Sequence, residues 1–172
     1  MKLHIGGKES HPDWKIFDIE QRPEVDYIGD ASDLSQFEDE SIEAIYASHV
    51  LEHFYYFLNS ELALTLSEWH RVLKKGGQLM ISVPDLRALC WLYTRHDIDT
   101  ANRFNLMRII FGGQHNQYDI HKVGFDFDIL CLYLSEARFM ECQRVFEFNL
   151  FNDFSITQLF GTPISLNVIA TK

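Results

Sequence analysis

The chain has 172 residues, of which 47% are hydrophobic and 23% are charged, as is typical of one globular domain. We therefore expect residues 1–172 to form a single domain. The net charge of −10, from 25 acidic and 15 basic residues, disfavours nucleic acid as a partner, because phosphate binding depends on Lys and Arg.

Strands and helices alternate along the first half of the chain. Short apolar segments predict five strands, at 2–5, 15–19, 25–29, 42–47 and 78–83. Before the fifth strand, one face of a predicted helix carries Leu62, Leu66, Trp69 and Leu73. We expect Asn59 to cap the start of this helix, Lys74 and Lys75 to lie in its last turn, and Gly76 to end it.

The second half of the chain is richer in helices. The sequence predicts helices at 86–96, 101–111 and 126–139, a loop at 112–125, and strands at 144–150 and 164–170. Strand–helix alternation of this kind favours an α/β fold with a mostly parallel sheet. Ligands of such sheets bind beyond the carboxyl ends of the strands.

Small and acidic residues follow the first three predicted strands. Gly6 and Gly7 come directly after the first strand and allow a ligand to approach the backbone. Asp18 ends the second strand and can accept hydrogen bonds from ribose hydroxyls, whereas Asp30, with Ala31, follows the third and can accept from an adenine amino group. This order predicts an adenosine-containing ligand. The glycine pattern of dinucleotide-binding proteins is absent.

Residues 49–53, HVLEH, also match the His-x-x-Glu-His pattern of one group of zinc proteases. A zinc hydrolase would need His49 and His53 on one helix. The preceding segment 42–47 instead predicts a strand that ends beside His49, so the sequence disfavours the zinc hydrolase and we expect no metal ligands.

The chain resembles the small bacterial class I S-adenosylmethionine-dependent methyltransferases, of the type 11-like group. The matching segments are LHIGG, WKIFDI, GDASDLSQFEDESIEAIYASHVLEHF, EWHRVLKKGGQLMISVPDL and SLNVIATK. The resemblance implies a Rossmann-like sheet, mostly parallel with an antiparallel last strand, with helices on both faces and the usual N-terminal helices missing. It implies S-adenosylmethionine as the cofactor and methyl transfer to a small molecule or a glycan precursor. The alternative is a cofactor-binding or interaction module without turnover.

The resemblance also implies which residues contact the cofactor. From its amino-acid part through ribose and adenine to the sulfonium, they are Gly6 and Gly7, Asp18 with Ile19, Asp30 and Ala31, and Ser48 and His49.

Histidine is the usual proton acceptor near neutral pH, and a methyl acceptor of the O–H or N–H type must lose a proton. The candidate catalytic residues are His49 and His53 at the strand ends and His115 and His121 in the 112–125 loop, which can fold over the site. We expect structural or surface roles for the other four histidines.

Cysteine and phenylalanine suggest where the protein resides and how it assembles. Cys90, Cys131 and Cys142 are widely spaced in apolar surroundings and are expected to be free thiols, as in a reducing compartment. No segment matches a signal peptide or a membrane span, so a cytoplasmic location is expected. The Phe-rich C-terminal part predicts an apolar pocket or a homo-oligomer interface.

Overall fold

The computed structural model describes residues 1–172 and has a seven-stranded sheet at its centre. Its strands, in chain order, are β1 (Lys2–Ile5), β2 (Trp14–Asp18), β3 (Tyr27–Ile28), β4 (Ile42–Ser48), β5 (Leu73–Pro84), β6 (Met140–Val145) and β9 (Ser165–Thr171). Two further short strands, β7 (Gln158–Leu159) and β8 (Thr162–Pro163), form a separate hairpin.

The strand order in the sheet is β3-β2-β1-β4-β5-β9-β6. The first five strands pair in parallel, and β9 is antiparallel to both β5 and β6. The predicted α/β class, with a mostly parallel sheet and an antiparallel last strand, is confirmed.

Four α-helices accompany the sheet: α1 (Glu61–Val72), α2 (Leu86–Thr94), α3 (Thr100–Phe111) and α4 (Phe127–Glu136). The last three each begin after an aspartate whose carboxylate accepts a hydrogen bond from a backbone N–H in the first turn: Asp85, Asp99 and Asp126. Such caps satisfy donors that a helix leaves free at its N-terminus.

The two faces of the sheet are covered differently. Alternate strand residues, such as Leu3, Ile45 and Ile81, form the main core with α1 and α4. On the opposite face, Tyr46 and Met80 pack against aromatic side chains from the irregular segment 146–156. No helix forms between β1 and β2, so this segment takes the place of a covering helix.

The predicted ends of the first long helix are wrong. Asn59 and Ser60 both have left-handed backbones, with φ of 56° and 54°, and α1 begins at Glu61. The helix ends at Val72, and β5 starts at once because Leu73 pairs with Ile42. Lys74, Lys75 and Gly76 therefore belong to a strand. Contact with the chain terminus stabilises it there, since the N–H of Gly76 donates to the carbonyl of Lys172 over 2.8 Å.

The predicted strand at 144–150 is also wrong. β6 lies at the sheet edge and ends at Val145, opposite Asn167. The Asn167 side chain donates to the Phe146 carbonyl over 2.8 Å, and the chain then leaves the sheet. Phe148 packs on the second face of the sheet, so apolar burial outweighs the strand preference of this alternating segment.

The prediction of three free thiols is wrong for two of them. Cys131 of α4 and Cys142 of β6 form a disulfide with their Cα atoms 6.1 Å apart, whereas Cys90 is free and exposed. The turn between α4 and β6 brings the two together. The argument for a reducing compartment therefore keeps one of its three cysteines. None of the helices combines the length and apolar character that a membrane crossing requires.

Candidate functional site

A cavity of about 680 Å³ lies beyond the carboxyl ends of β1, β2 and β4, a size typical of small-molecule sites. We call it the cofactor-side cavity. Six predicted cofactor residues line it: Gly6, Asp18, Ile19, Asp30, Ala31 and His49. The other two, Gly7 and Ser48, do not line this cavity.

Asp18 ends β2 at the wall of the cofactor-side cavity, and its carboxylate is already partly bonded. One oxygen accepts from the backbone N–H of Glu20 over 2.8 Å, and the other from the Arg22 guanidinium over 3.0 Å. Arg22 also donates to the carbonyl of Gly7 over 2.7 Å. A carboxylate has about four acceptor positions, so two remain for the hydroxyls of a ribose.

Arg22 stays positively charged in this setting. Burial opposes its charge, but hydrogen bonds from the guanidinium to the carboxylates of Asp18 and Glu24 more than compensate and raise the pKa of Arg22. The guanidinium thus fixes the Asp18 side chain before any ligand binds.

Asp30 follows β3 and presents one free carboxylate oxygen. Its other oxygen accepts from the backbone N–H and the hydroxyl of Ser32, over 2.9 and 2.7 Å. The Ala31 carbonyl accepts from the Trp69 indole over 2.8 Å, which holds the loop in place but uses that carbonyl. Recognition of an adenine amino group at this point therefore falls to Asp30.

The first turn requires glycine at both positions. Gly6 has φ of 73°, and a Cβ there would lie 2.9 Å from the Val50 side chain. A Cβ at Gly7 would lie 2.7 Å from the His4 ring. The turn therefore keeps a close, side-chain-free approach to the cavity at Gly6, while Gly7 is used for packing and for its carbonyl. Together with the two carboxylates, this geometry fits an adenosine-containing cofactor.

A second cavity, of about 700 Å³, adjoins the first, and we call it the acceptor-side cavity. Its wall combines strand-end residues with three later segments. These supply Asn105, Arg108 and Ile109 from α3, Gly113, Asp119 and His121 from the following loop, and residues 151–164 from the C-terminal part. Only five of its 20 lining residues are hydrophobic, so it is suited to a polar molecule.

The two cavities meet at a rim of four shared residues: Gly6, Lys8, His49 and His53. His49 occupies the corner where β4 ends, with φ of 55°. This left-handed conformation is strained for a residue other than glycine and often occurs at functional sites. Ser48, next to it, lines the acceptor-side cavity only, and its hydroxyl is buried without a hydrogen-bond partner.

Three of the four candidate catalytic histidines surround one buried carboxylate. Glu52 is 1% exposed, and its Oε1 lies 3.1 Å from Nδ1 of His49 and 3.9 Å from Nε2 of His121. The His53 and His121 rings meet edge to face with centroids 4.9 Å apart. Burial raises the pKa of Glu52, but the charges of the neighbouring histidines, His49 first, outweigh it and hold the pKa below its ordinary value.

The hydrogen bonds of His49 and His53 determine which ring nitrogens are free. Nε2 of His49 contacts the Ser165 hydroxyl, which itself donates to the Phe154 carbonyl, so this nitrogen must carry a proton. With Nδ1 facing Glu52, His49 has no free lone pair. Nδ1 of His53 lies 3.1 Å from the Ile120 carbonyl and must donate to it, which leaves Nε2 as the proton acceptor of the neutral ring.

The remaining candidate, His115, lies apart from this cluster. Its Nε2 accepts from the Arg108 guanidinium over 3.1 Å, so that lone pair is occupied. The loop 112–125 does run beside both cavities, as expected: Tyr118 and Lys122 line the cofactor side, and His121 lines the acceptor side.

Sequence reasoning missed several residues of both walls, including Arg22, Phe54, Lys122, Arg108 and Asp153. They lie in loops or on α3, far from the strand ends that guided the search. Polar residues in the 112–125 loop were the available signal, and only its histidines were singled out. His4, expected to be structural, is 4% exposed and lines the acceptor-side cavity.

Comparisons with known proteins agree with this architecture. The family model described as "Methyltransferase domain" matches residues 14–81, and no curated protein matches the chain. A S-adenosylmethionine-dependent methyltransferase from Archaeoglobus fulgidus is similar in structure, with a TM-score of 0.63 and 16% identity over 99% of this chain and 85% of that one.

Two further solved structures share the fold. One is a S-adenosylmethionine-dependent methyltransferase from Thermotoga maritima, described as a possible histamine N-methyltransferase, with a TM-score of 0.58, 16% identity, and coverage of 99% of this chain and 81% of that one. The other, from Mesorhizobium loti, has a TM-score of 0.58, 13% identity, and coverage of 99% and 90%. Fold, strand-end residues and the family match agree, and the chain belongs to the class I S-adenosylmethionine-dependent methyltransferases.

Proposed function

We propose that the protein transfers the methyl group of S-adenosylmethionine to a small polar molecule or a glycan precursor. The observation that carries this proposal is the shared rim of the two cavities at Gly6, Lys8, His49 and His53. A cofactor in one cavity and an acceptor in the other would meet at that rim, where the reacting methyl group must lie.

In the cofactor-side cavity, Asp18 would bind the ribose hydroxyls and Asp30 the adenine amino group. Gly6 would let the amino-acid part approach the backbone, with Gly7 behind it. His49, flanked by Ser48, would lie beside the sulfonium. Binding of this kind is supported by the free acceptor positions on both carboxylates.

The reaction itself asks mainly for alignment. The acceptor atom attacks the methyl carbon, the sulfur–carbon bond breaks with its electron pair returning to sulfur, and the acceptor proton leaves to a base. Alignment alone can lower such a barrier by roughly 7–11 kcal/mol. Among the candidate bases, His53 fits best, because its Nε2 lone pair is free and its side chain lines both cavities.

The polar wall of the acceptor-side cavity favours a hydroxyl-bearing acceptor over an apolar one. Lys8 and Arg108 offer donors, and Glu9, Asp119 and Asp153 offer acceptors. A glycan precursor, with many hydroxyls and an anionic group, matches such a mixed lining.

The test has two arms. Calorimetric titration with S-adenosylhomocysteine is expected to give one site per chain with a Kd below roughly 1 mM. A screen of sugars, nucleotide sugars and small amines with isotope-labelled S-adenosylmethionine is expected to label a hydroxyl-bearing acceptor. Absence of S-adenosylhomocysteine binding would refute the proposal. Binding without labelling of any acceptor would favour the alternative, a cofactor-binding module without turnover.

We also propose that the protein is cytoplasmic and self-associates through its C-terminal part. Phe146 and Phe154 are 69% and 65% exposed, which supports an apolar contact surface between copies. Light scattering of the wild type and of Phe146→Ser is expected to give a larger mass for the wild type. A monomer in both cases would contradict the self-association.

A further inference from the structure

We propose that Glu52, His53 and His121 form a binding site for a divalent transition-metal ion of the zinc class. The possible ligand atoms of these three residues all lie within 4.8 Å of one another. The site differs from the zinc-protease pattern in HVLEH, because it pairs Glu52 and His53 with a histidine from a distant loop and leaves out His49.

Glu52 provides the main evidence. Its side chain is 1% exposed, and neither carboxylate oxygen has a hydrogen-bond donor. The 3.1 Å contact with Nδ1 of His49 is an ion-pair distance without hydrogen-bond alignment. Burying a carboxylate without donors costs several kcal/mol, and a bound cation is one of the few partners that compensates for it.

The two histidines present nitrogen lone pairs to the same point. His53 donates through Nδ1 to the Ile120 carbonyl, which fixes the ring and leaves Nε2 free. A hydrogen bond from a ligating histidine to a carbonyl is the usual arrangement in metal sites, because it orients the ring. His121 has a lowered pKa, chiefly because of burial, which favours its neutral, ligating form.

The backbone holds the three ligands in place without a metal. Glu52 and His53 belong to one short turn, Leu51–His53, after β4. The loop that carries His121 is tied to this turn by the Lys122 N–H, which donates to the Glu52 carbonyl over 2.7 Å, and to α3 by the His121 N–H, which donates to the Phe111 carbonyl over 3.1 Å.

The present separations require a small closure. Zinc bonds of roughly 2.0–2.2 Å in a tetrahedral arrangement place ligand atoms about 3.4 Å apart. Rotation of the His53 and His121 rings toward Glu52 would close the gap, and both side chains are partly exposed and thus able to move.

The ligand set selects the class of ion. Two imidazoles and one carboxylate suit Zn²⁺, Co²⁺ or Fe²⁺, whereas Mg²⁺ and Ca²⁺ prefer oxygen ligands alone. Three protein ligands leave a fourth position open, as in catalytic zinc sites. Because His53 and His121 line the acceptor-side cavity, that position would face the acceptor.

Metal binding and proton transfer at His53 exclude each other, because both use the lone pair on Nε2. The metal site therefore does not depend on the proposed methyl transfer, and its failure can be separated from failure of that function.

The test is a zinc titration of the full chain against a chromophoric chelator, with S-adenosylhomocysteine binding measured in parallel. The wild type is expected to bind one Zn²⁺ per chain, without competition from excess Mg²⁺. His53→Ala and His121→Ala are each expected to weaken zinc binding by at least about 10-fold. In Co²⁺-loaded protein, the visible absorption bands of a four-coordinate site are expected, and they should vanish in both variants.

His96→Ala is the matched control, since His96 is exposed and outside both cavities, and it should leave zinc affinity unchanged. Glu52→Gln tests the carboxylate, with thermal unfolding measured to confirm that the variant folds. No saturable binding at roughly millimolar zinc, or equal binding by all variants, would overturn the metal site. If S-adenosylhomocysteine still binds in that case, the proposed methyl transfer is unaffected.

Discussion

The two adjoining cavities are assembled in different ways. The cofactor-side cavity takes most of its wall from the first 61 residues, where successive strand ends deliver Gly6, Asp18 and Asp30 in chain order. The acceptor-side cavity joins strand ends to α3, the loop after it and the segment 151–164. The contrast teaches that cofactor recognition follows directly from the sheet, whereas acceptor recognition depends on segments that the sheet does not specify.

The largest expected effect concerns the floor of the acceptor-side cavity. Burial lowers the pKa of His4 to about 4, whereas the unfolded chain keeps the ordinary value of 6.5. The neutral ring therefore stabilises the fold above pH 6.5, and this contribution is lost as pH falls from 6.5 to 4. We expect a loss of about 3 kcal/mol in the free energy of unfolding from this group.

Denaturant unfolding of the wild type and of His4→Phe at several pH values measures this contribution. Phenylalanine keeps a ring against Tyr46 and Phe151 but cannot take up a proton. The pH dependence of stability should be weaker in His4→Phe by that amount. Equal pH dependence in both proteins would show that His4 does not titrate as described.

The next effect concerns the cofactor side. Asp18→Asn removes the charge that would accept the ribose hydroxyls and the Arg22 guanidinium. Hydrogen bonds to a charged group contribute about 1.5–3 kcal/mol, so the Kd for S-adenosylhomocysteine should rise about 10- to 100-fold. Asp13→Asn makes the same chemical change at an exposed residue outside both cavities and should bind like the wild type. A Kd for Asp18→Asn within two-fold of the wild type, by about 0.4 kcal/mol, would contradict the ribose assignment.

The smallest effect separates the two cavities most cleanly. Arg108→Ala removes a donor from the acceptor-side wall only. We expect an unchanged Kd for S-adenosylhomocysteine and a fall of about 5-fold in kcat/KM for the acceptor found by screening, because one hydrogen bond contributes about 1 kcal/mol. Arg103→Ala, on the same helix but outside both cavities, is the control. A weakened Kd for S-adenosylhomocysteine in Arg108→Ala would mean that the two cavities act as one site.

The same contrast explains what the sequence could predict. The sheet and six of the eight expected cofactor residues follow from apolar periodicity and from what comes after each strand, because these are local properties. Glu52 illustrates what could not be predicted. Its burial depends on His121, which is 69 residues away in the chain and approaches only through the loop hydrogen bonds. The departure of Phe148 from its expected strand has the same cause, since the decisive contact is tertiary.

The most direct test of the account is a crystal structure of the protein with S-adenosylhomocysteine. The account predicts the ribose hydroxyls within hydrogen-bond distance of Asp18, the adenine amino group beside Asp30, and the sulfur at the rim between Gly6 and His49. A ligand bound in the acceptor-side cavity, or with its ribose away from Asp18, would contradict the assignment of the two cavities.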